Sequence, residues 1–273
     1  MAVATTLDLA AVKARQQATW ASGDYAEIAT LIVPIAERLA DAADLRAGSS
    51  VLDVASGSGN MAIAAARLGC EVTAVDYVPS LLDRGIERAA AERLDIAFQL
   101  GDAEELPFAE RAFDATTSVV GAMFAPDHER TASELVRVTR PGGTIALASW
   151  TPDGFVGAML RTIAVHVPPP AGVPSPLLWG DESYLNALFA TDVGWTHRRR
   201  TFTFRFTSAA EYVDRFVTHY GPTLKAAESL GTKRAALKAD LQELALDWNR
   251  LAEDGPIAVP ATYLESVGVV GGA

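Results

Sequence analysis

Cysteine is almost absent from this chain, which has only Cys70 among its 273 residues. A single cysteine cannot form a disulfide within the chain, so no covalent cross-link holds the fold together. Cys70 lies just before a predicted strand, and we interpret it as a buried structural thiol.

Long apolar runs are also absent. No stretch approaches the roughly 20 apolar residues that a membrane-spanning helix needs. The first residues lack the basic and then apolar pattern of a secretory signal. We therefore expect a cytoplasmic protein without a membrane partner.

Basic residues are scarce, with 23 Lys and Arg against 34 Asp and Glu and a formal net charge of −11. A protein that binds nucleic acid normally presents a basic surface to the phosphates. The run His197-Arg198-Arg199-Arg200 is interpreted as one solvated strand face. We therefore expect a small-molecule substrate rather than DNA or RNA, while the oligomeric state stays open.

Short apolar segments alternate with helical patterns between residues 51 and 150, as a parallel sheet with crossover helices requires. The predicted strands cover residues 51–55, 71–75, 95–99, 113–119 and 143–150, and the predicted helices cover 59–68, 79–93 and 127–139. Ligands of such α/β sheets bind beyond the carboxyl ends of the strands. Asp53, Asp76, Asp102 and Val119 fall at those ends.

The segments outside this core predict a cap over the sheet. Helices are expected at residues 8–20, 24–46, 208–220 and 232–253, a strand pair at 193–206, a proline-rich irregular segment at 165–176 and a last strand at 257–270. We expect one domain over residues 1–273. Its parts are an N-terminal helical cap (1–46), a cofactor-binding core (47–152), a substrate cap with sheet strands (153–256) and a last strand with a tail (257–273).

A glycine-containing loop follows the first predicted strand, in the sequence Val51-Leu-Asp-Val-Ala-Ser-Gly-Ser-Gly-Asn60. Glycine adopts positive φ and lets a ligand approach the backbone closely. The spacing of Gly57, Gly59 and Ala62, with Asp76 further on, also satisfies a dinucleotide-binding fingerprint. The loop alone therefore leaves two cofactor classes open.

Three further motifs narrow the choice. They are Gly101-Asp-Ala-Glu-Glu-Leu-Pro-Phe108, then Phe113-Asp114 at the start of a strand, and Leu135-Val-Arg-Val-Thr-Arg-Pro-Gly-Gly143 before the next strand. Over residues 45–152 this ordered set resembles the class I S-adenosylmethionine-dependent methyltransferases, in their ubiquinone/menaquinone-biosynthesis-like small-molecule branch. The resemblance implies a doubly wound, Rossmann-like, mostly parallel seven-stranded sheet and S-adenosyl-L-methionine as cofactor, with S-adenosyl-L-homocysteine as product.

The first motif departs from the family at two positions. Ala55 stands where the family usually has its first glycine, and Ser56 where it often has cysteine. We expect Ala55 to allow the same close backbone approach in an ordinary conformation.

The resemblance also implies roles for particular residues. Asp53 acts near the methionine amino group through the loop, Asp76 accepts both ribose hydroxyls, and Asp102 accepts from the adenine amino group. The remaining expected cofactor contacts are Ala55, Ser56, Gly57, Ser58, Gly59, Tyr77, Ala103 and Val119.

The segment Ser118-Val-Val-Gly-Ala-Met-Phe124 excludes several substrates. It has neither the Asp/Asn-Pro-Pro-aromatic motif of adenine-amine methyltransferases nor the nucleophilic cysteine of cytosine-carbon methyltransferases. The sequence shows no carboxylate cluster of the kind that catechol-type enzymes use, so no metal is expected.

The candidate general bases are His219, Tyr220 and His128, because a ring nitrogen of histidine can take a proton near neutral pH. Asp127 is expected to cap the helix that begins at His128. Trp20, Tyr25 and Trp179 are candidate substrate contacts that form an aromatic wall, with core packing as the alternative.

The sequence therefore predicts methyl transfer from S-adenosylmethionine to a small aromatic or otherwise apolar metabolite, by in-line displacement and with positioning as the main contribution. Two alternatives stay open. One is a nicotinamide-dependent oxidoreductase, and the other is a catalytically silent protein that binds S-adenosylmethionine.

Overall fold

The computed structural model describes residues 8–251 and 255–271, and its centre is a seven-stranded sheet with the order β3-β2-β1-β4-β5-β7-β6. The strands are β1 (Ser50–Val54), β2 (Glu71–Asp76), β3 (Ile96–Leu100), β4 (Phe113–Val119), β5 (Thr139–Trp150), β6 (Val193–Phe206) and β7 (Ile257–Val270). The predicted fold class, a mostly parallel seven-stranded Rossmann-like sheet with flanking helices, is confirmed. No helix within the described residues combines the length and the apolarity that crossing a bilayer requires.

Eleven α-helices surround the sheet in the described ranges. They are α1 (Leu9–Trp20), α2 (Ala26–Ala29), α3 (Val33–Ala42), α4 (Asn60–Arg67), α5 (Pro79–Glu92), α6 (His128–Val138), α7 (Phe155–His166), α8 (Glu182–Phe189), α9 (Ala209–His219), α10 (Gly221–Leu230) and α11 (Arg234–Asp247). Short 3-10 helices cover Thr30–Ile32, Ala122–Phe124, Pro176–Gly180 and Gly231–Lys233.

The five strands from β3 to β5 are parallel, and β1 lies at their centre between β2 and β4. The buried residues of β1 are apolar apart from Asp53, as expected for a strand covered on both faces. Because the strands run parallel, the loops after β1, β2, β3 and β4 emerge at one edge of the sheet. This edge carries the candidate site.

The predicted strand pair at residues 193–206 is wrong. These residues form the single strand β6, which pairs antiparallel with β7 along its whole length. β7 also pairs antiparallel with β5 and therefore lies between β5 and β6. The alternation at Thr201–Phe206 correctly indicated a strand, but alternation cannot identify the partner of a strand.

Three helix predictions need correction. Residues 24–46 do not form one helix, because a 3-10 turn separates α2 from α3, which begins at Val33 with Pro34 in its first turn. Residues 221–230, which were left unassigned, form α10 with Pro222 in its first turn. The helix predicted to reach residue 253 ends at Asp247, and residues 252 and 253 lie outside the described ranges, as do residues 1–7, 272 and 273 of the predicted cap and tail.

The proline-rich segment was predicted to be irregular over residues 165–176. The structure places Val165 and His166 in α7 and leaves residues 167–175 without regular structure. Pro176 then begins the 3-10 turn before α8. Irregular backbone is therefore confined to the part of the segment that contains consecutive prolines.

Candidate active site

A cavity of about 910 Å³, its open mouth included, lies at the carboxyl ends of the parallel strands. The loops after β1, β2, β3 and β4 line this cavity. Helix α1 lies over it and contributes Lys13, Gln16 and Trp20 to the lining. The lining residues that the sequence predicted for a cofactor are Asp53, Ala55, Ser56, Gly57, Ser58, Asp76, Tyr77, Asp102, Ala103 and Val119.

Gly59 is the predicted cofactor contact that does not line this cavity. It is the N-cap of α4 and has a φ of 81°. A Cβ at this position would lie 3.4 Å from the ring of Phe98. Gly59 therefore turns the chain into α4 against Phe98, and its contact with the cofactor stays a prediction.

The loop after β1 is more strained than the sequence indicated. Ala55 has a φ of 51°, in the left-handed region that glycine prefers, so the expectation of an ordinary conformation is wrong. Val120 at the end of β4 has a φ of 47° and lies on the same cavity wall. Strain of this kind is retained where the surrounding structure requires the geometry.

Gly121 explains how the loops after β1 and β4 can touch. A Cβ on Gly121 would lie 2.3 Å from the carbonyl oxygen of Ala55. Any side chain here would push the two loops apart. The cavity floor therefore depends on Gly121 as well as on the glycines of the first motif.

Asp76 ends β2 and faces the cavity. Its two carboxylate oxygens accept hydrogen bonds from the backbone amides of Gly57, at 2.8 Å, and of Val78, at 2.9 Å. Burial raises the pKa of Asp76 to about 6, although these amides pull the value down. The carboxylate is fixed in place by both loops, and its remaining lone pairs can accept from a bound ligand.

Asp53 is more deeply buried, with 1% of its surface exposed. It accepts a hydrogen bond from the amide of Ala62 at 3.0 Å and a long one of 3.4 Å from the hydroxyl of Thr117. Burial raises its pKa to about 8, and the nearby Asp76 adds to this. A buried carboxyl group of this kind is stabilised by any cation that enters the cavity.

Asp102 has a partner that the sequence did not indicate. The ammonium of Lys13 in α1 lies 2.5 Å from Asp102 and 2.8 Å from Glu104. Burial lowers the pKa of Lys13, but its hydrogen bonds to the two carboxylates outweigh this and raise it. Lys13 also lines the cavity and is a candidate site residue that sequence reasoning missed.

Two glutamines of α1 accompany Lys13. The side-chain amide of Gln16 donates to the carbonyl of Phe124 at 3.2 Å, and that of Gln17 donates to the carbonyl of Tyr77 at 2.5 Å. The side-chain oxygen of Gln16 is buried and has no hydrogen-bond partner among the described residues. The helical spacing of Lys13, Gln16 and Gln17, extended by Trp20, is the signal that could have revealed this face.

A second, smaller cavity, of about 330 Å³ with its open mouth included, adjoins the first, and we call it the apolar chamber. It shares Tyr25, Ile32, Val120 and Phe124 with the larger cavity. The rest of its lining is Ile28, Trp150, Val156, Met159, Phe204, Phe216 and Tyr220. No residue of this lining carries a charged side chain.

Two phenols belong to the wall of the chamber. The rings of Tyr25 and Tyr220 have centroids 6.3 Å apart, and Trp20 packs edge-on against both, at 5.5 and 5.7 Å. Burial raises the pKa of each phenol further above its ordinary range. Both therefore stay protonated and can donate a hydrogen bond to a ligand.

Three predicted side chains are absent from the linings of both cavities, and their catalytic or substrate roles stay predictions. His219 ends α9 and lines neither cavity. His128 shares a 2.8 Å hydrogen bond with the hydroxyl of Tyr184, and burial lowers its pKa to about 4, so it is neutral and structural. Trp179 is fully buried against His128 and Phe189, as the core-packing alternative predicts.

Asp127 caps α6 as predicted, because its side chain accepts a hydrogen bond from the backbone amide of Arg130.

Comparison with known proteins places the chain in a family. Residues 52–147 match the model of the methyltransferase domain. An uncharacterised protein of Mycobacterium tuberculosis is 44% identical over 236 residues, which are 84% of this chain and 86% of that protein. A demethylmenaquinone methyltransferase of Deinococcus radiodurans is 38% identical over 126 residues, which are 45% of this chain and 52% of that enzyme.

The chain is a class I S-adenosylmethionine-dependent methyltransferase. The crystal structure of the YcgJ protein of Bacillus subtilis has the same fold, with a TM-score of 0.62 and 19% identity over 87% of this chain and 98% of that one. Membership of this family decides which of the two cofactor classes the glycine-containing loop after β1 binds. The cofactor of this methyltransferase is S-adenosylmethionine, and the nicotinamide alternative is set aside.

The cavity fits this cofactor on structural grounds as well. The Asp76 carboxylate is exposed to the cavity at the end of β2, where a vicinal diol can bind. The hydroxyl of Ser56 is buried on the cavity wall and has no partner among the described residues. A Cβ on Gly57 would meet nothing closer than the ring of Tyr25 at 3.7 Å, so a ligand can approach the backbone there.

Proposed function

We propose that this methyltransferase transfers the methyl group of S-adenosylmethionine to a small, uncharged aromatic or otherwise apolar molecule bound in the apolar chamber. The observation that carries this proposal is the junction of the two cavities, where one set of four residues lines both. A molecule in the chamber therefore lies directly beside the cofactor cavity.

Within the cofactor cavity, we propose that Asp76 accepts hydrogen bonds from the ribose hydroxyls. Asp102 and the amide of Ala103 hold the adenine, Tyr77 flanks it, and the backbones of Ala55, Ser56, Gly57, Ser58 and Val119 contact the remainder. Asp53 faces the positive end of the methionine group. A cation bound beside Asp53 would favour its ionised form and lower the raised pKa of this carboxyl group.

The chemistry needs little besides alignment. When bound, S-adenosylmethionine would supply an activated methyl group and leave as S-adenosylhomocysteine, while the chamber holds the acceptor in line and the acceptor's proton passes to water. Fixing two reactants in the correct geometry contributes up to roughly 7–11 kcal/mol. The protonated phenols of Tyr25 and Tyr220 act as hydrogen-bond donors that orient the acceptor, so Tyr220 is proposed as an orienting residue and no longer as a base.

The character of the lining supports an uncharged acceptor. Burying an unpaired charge against aliphatic and aromatic side chains is costly, and no side chain of the chamber offers a compensating charge. The net charge of −11 supports a small molecule over nucleic acid. The absence of a spanning helix in the described ranges agrees with a protein that works in the cytoplasm, which we also propose.

The test is a panel of acceptors incubated with the protein and S-adenosylmethionine that carries a labelled methyl group. The panel contains demethylmenaquinone, small phenols, neutral heteroaromatic compounds, and charged amines and carboxylates of matched size. Mass spectrometry should find the label in apolar ring compounds only. Preferential labelling of charged compounds, or no product from any class, would contradict the proposal.

A further inference from the structure

Helix α1 differs from an ordinary packed helix because none of its residues is buried. Three polar side chains on one face of α1 contact the cofactor-binding loops. Lys13, Gln16 and Gln17 reach Asp102, Phe124 and Tyr77, which belong to the loops after β3, β4 and β2. α1 therefore crosses three loops of the cofactor cavity through polar contacts, and Trp20 at its C-terminal end adds an aromatic contact with Phe124.

The two ends of α1 are held differently. At its C-terminal end, Trp20 packs on Tyr25, Phe124 and Tyr220, at centroid distances of 4.9 to 5.7 Å. A Cβ on Gly221 would lie 2.2 Å from the carbonyl oxygen of Thr19, so α10 approaches this end very closely. In the N-terminal half of α1, it is Lys13 that contacts the described wall of the cavity, through Asp102 and Glu104.

The connection after α1 is suited to serve as a hinge. Gly23 has a φ of 72°, and a Cβ there would lie 2.9 Å from the carbonyl oxygen of His219. The turn is thus fixed to the end of α9 while α1 projects from it over the cavity. A rotation about the turn would open the cavity without disturbing the sheet.

We propose that α1 is a lid over the cofactor cavity and that Lys13 is its latch, which fastens the lid by binding Asp102 and Glu104 across the bound cofactor. Lys13 is a positioning residue: it acts on the cofactor through Asp102 and through closure of the lid. With the latch released, the lid opens and the cofactor escapes; with the latch engaged, Trp20 at the aromatic end of α1 completes the wall of the cofactor cavity.

The charge and burial of the three groups support the latch. The side chain of Lys13 is 27% exposed, that of Asp102 is 33% exposed and that of Glu104 is 6% exposed. A partly buried cation shared by two carboxylates is less screened by salt than a surface pair. Removing the cation leaves Asp102 and Glu104, which both belong to the loop after β3, without their ionic bond to α1.

Arg15 provides a matched control on the same helix. It is exposed and is absent from the cavity lining. Replacing it with methionine removes one positive charge from α1, as the corresponding change at Lys13 does. The comparison of Lys13→Met with Arg15→Met therefore separates the latch from a general change of charge.

The experiment measures the dissociation rate of S-adenosylhomocysteine by stopped-flow displacement, together with amide hydrogen exchange over residues 9–20. Lys13→Met should release the ligand at least fivefold faster, and Arg15→Met should stay within twofold of the wild type. Ligand binding should slow exchange in α1 of the wild type and of Arg15→Met, but much less in Lys13→Met. Both variants should melt within about 2 °C of the wild type without ligand.

Three results would overturn the latch. They are an unchanged dissociation rate in Lys13→Met, an equal acceleration in Arg15→Met, and exchange in α1 that ligand does not alter in the wild type. A dissociation effect seen without any labelled product from the acceptor panel would leave the latch standing and contradict only the proposed acceptor.

Discussion

At the scale of single residues, the buried carboxyl of Asp53 makes a prediction about pH. Its pKa is about 8 in the folded protein and about 4 in an unfolded chain. Between these values the folded state binds more protons than the unfolded state, so Asp53 makes the protein less stable as pH rises. The stabilising contribution of protonated Asp53 is fully present below pH 4 and is lost progressively as pH rises to 8.

The Asp53→Asn variant tests whether Asp53 makes the protein less stable as pH rises. At pH 5, only about one unit above the unfolded pKa, Asp53 is still protonated in the folded wild type, so the variant should melt only slightly higher. At pH 8.5 the variant should melt higher, because it escapes the cost of a buried charge. The measurement is the difference in melting temperature across this range without ligand; a difference that shrinks or stays flat as pH rises would contradict the assignment.

Ala55 gives a prediction with an unusual direction. An L-residue in the left-handed region costs about 1–2 kcal/mol, whereas glycine loses about 0.5–1 kcal/mol of backbone entropy. Ala55→Gly should therefore raise the free energy of unfolding by up to about 1 kcal/mol, as measured in urea. The control is Ala90→Gly on the exposed face of α5, which should lower it.

Asp76 is the residue whose loss should most affect cofactor affinity. Asp76→Asn removes the charge from an acceptor of two hydroxyls, which costs roughly 1.5–3 kcal/mol. We expect S-adenosylhomocysteine to bind at least tenfold more weakly in calorimetric titration. The control is Asp83→Asn, which changes an exposed carboxylate of α5 and should leave the affinity unchanged. Equal affinity in Asp76→Asn would remove Asp76 from the proposed site.

At the scale of secondary-structure elements, α7 offers a test of the apolar chamber. Val156 is buried and lines the chamber, whereas Val165 on the same helix is 80% exposed. Val156→Phe should fill the chamber and abolish methylation of an acceptor found in the panel, while binding of S-adenosylhomocysteine persists. Val165→Phe adds the same ring outside the chamber and should retain activity. Loss of cofactor binding in Val156→Phe would mean that the two cavities are not separable.

Individual elements show what the sequence could reveal. The strands from β1 to β5 were predictable because each is a short apolar run between turn residues, and parallel pairing follows from the helices between them. α1 was foreseen as a helix, but its inner face is polar, so apolar periodicity gave no indication of where it packs. α10 was missed because Gly221 and Pro222 are typical of a turn, although proline also favours the first turn of a helix.

The candidate site divides in the same way. Asp53, Asp76 and Asp102 could be predicted because the carboxyl ends of parallel strands lie at one edge of the sheet. The position of each residue relative to its own strand is therefore enough to place it at that edge. The pairing of Lys13 with Asp102 could not be predicted, since the two residues are 89 positions apart in the sequence and no motif records their contact. His128, His219 and Trp179 lie outside the linings of both cavities for one reason: a residue type indicates possible chemistry, but only packing decides which cavity a side chain faces.

At the scale of the whole molecule, binding of the cofactor should stabilise the entire fold. A ligand that binds only the folded state adds about 2.7 kcal/mol at a concentration of 100 times its Kd. S-adenosylhomocysteine should therefore raise the melting temperature by several degrees, since about 1 kcal/mol corresponds to about 2–4 °C in a protein of comparable size. Reduced nicotinamide dinucleotide should not; an equal shift with both ligands would mean that the cavity does not distinguish them.

We propose that the elements outside the sheet and the sheet itself form one domain. The chamber takes residues from both, since Val120 belongs to the end of β4 while Val156 and Phe216 belong to α7 and α9. The ligand-induced shift should accordingly appear in a single unfolding transition. Two separate unfolding transitions, of which only one responds to S-adenosylhomocysteine, would show that the chain consists of two domains.

The position of β7 between β5 and β6 affects how the protein can be made on the ribosome. β6 leaves the ribosome well before β7, which is its partner in the described sheet. During that interval β6 is a long unpaired strand, and its basic residues Arg198, Arg199 and Arg200 disfavour association with other nascent chains. The chamber takes Phe204 from β6, so it is complete only after β7 has been synthesised and has closed the sheet.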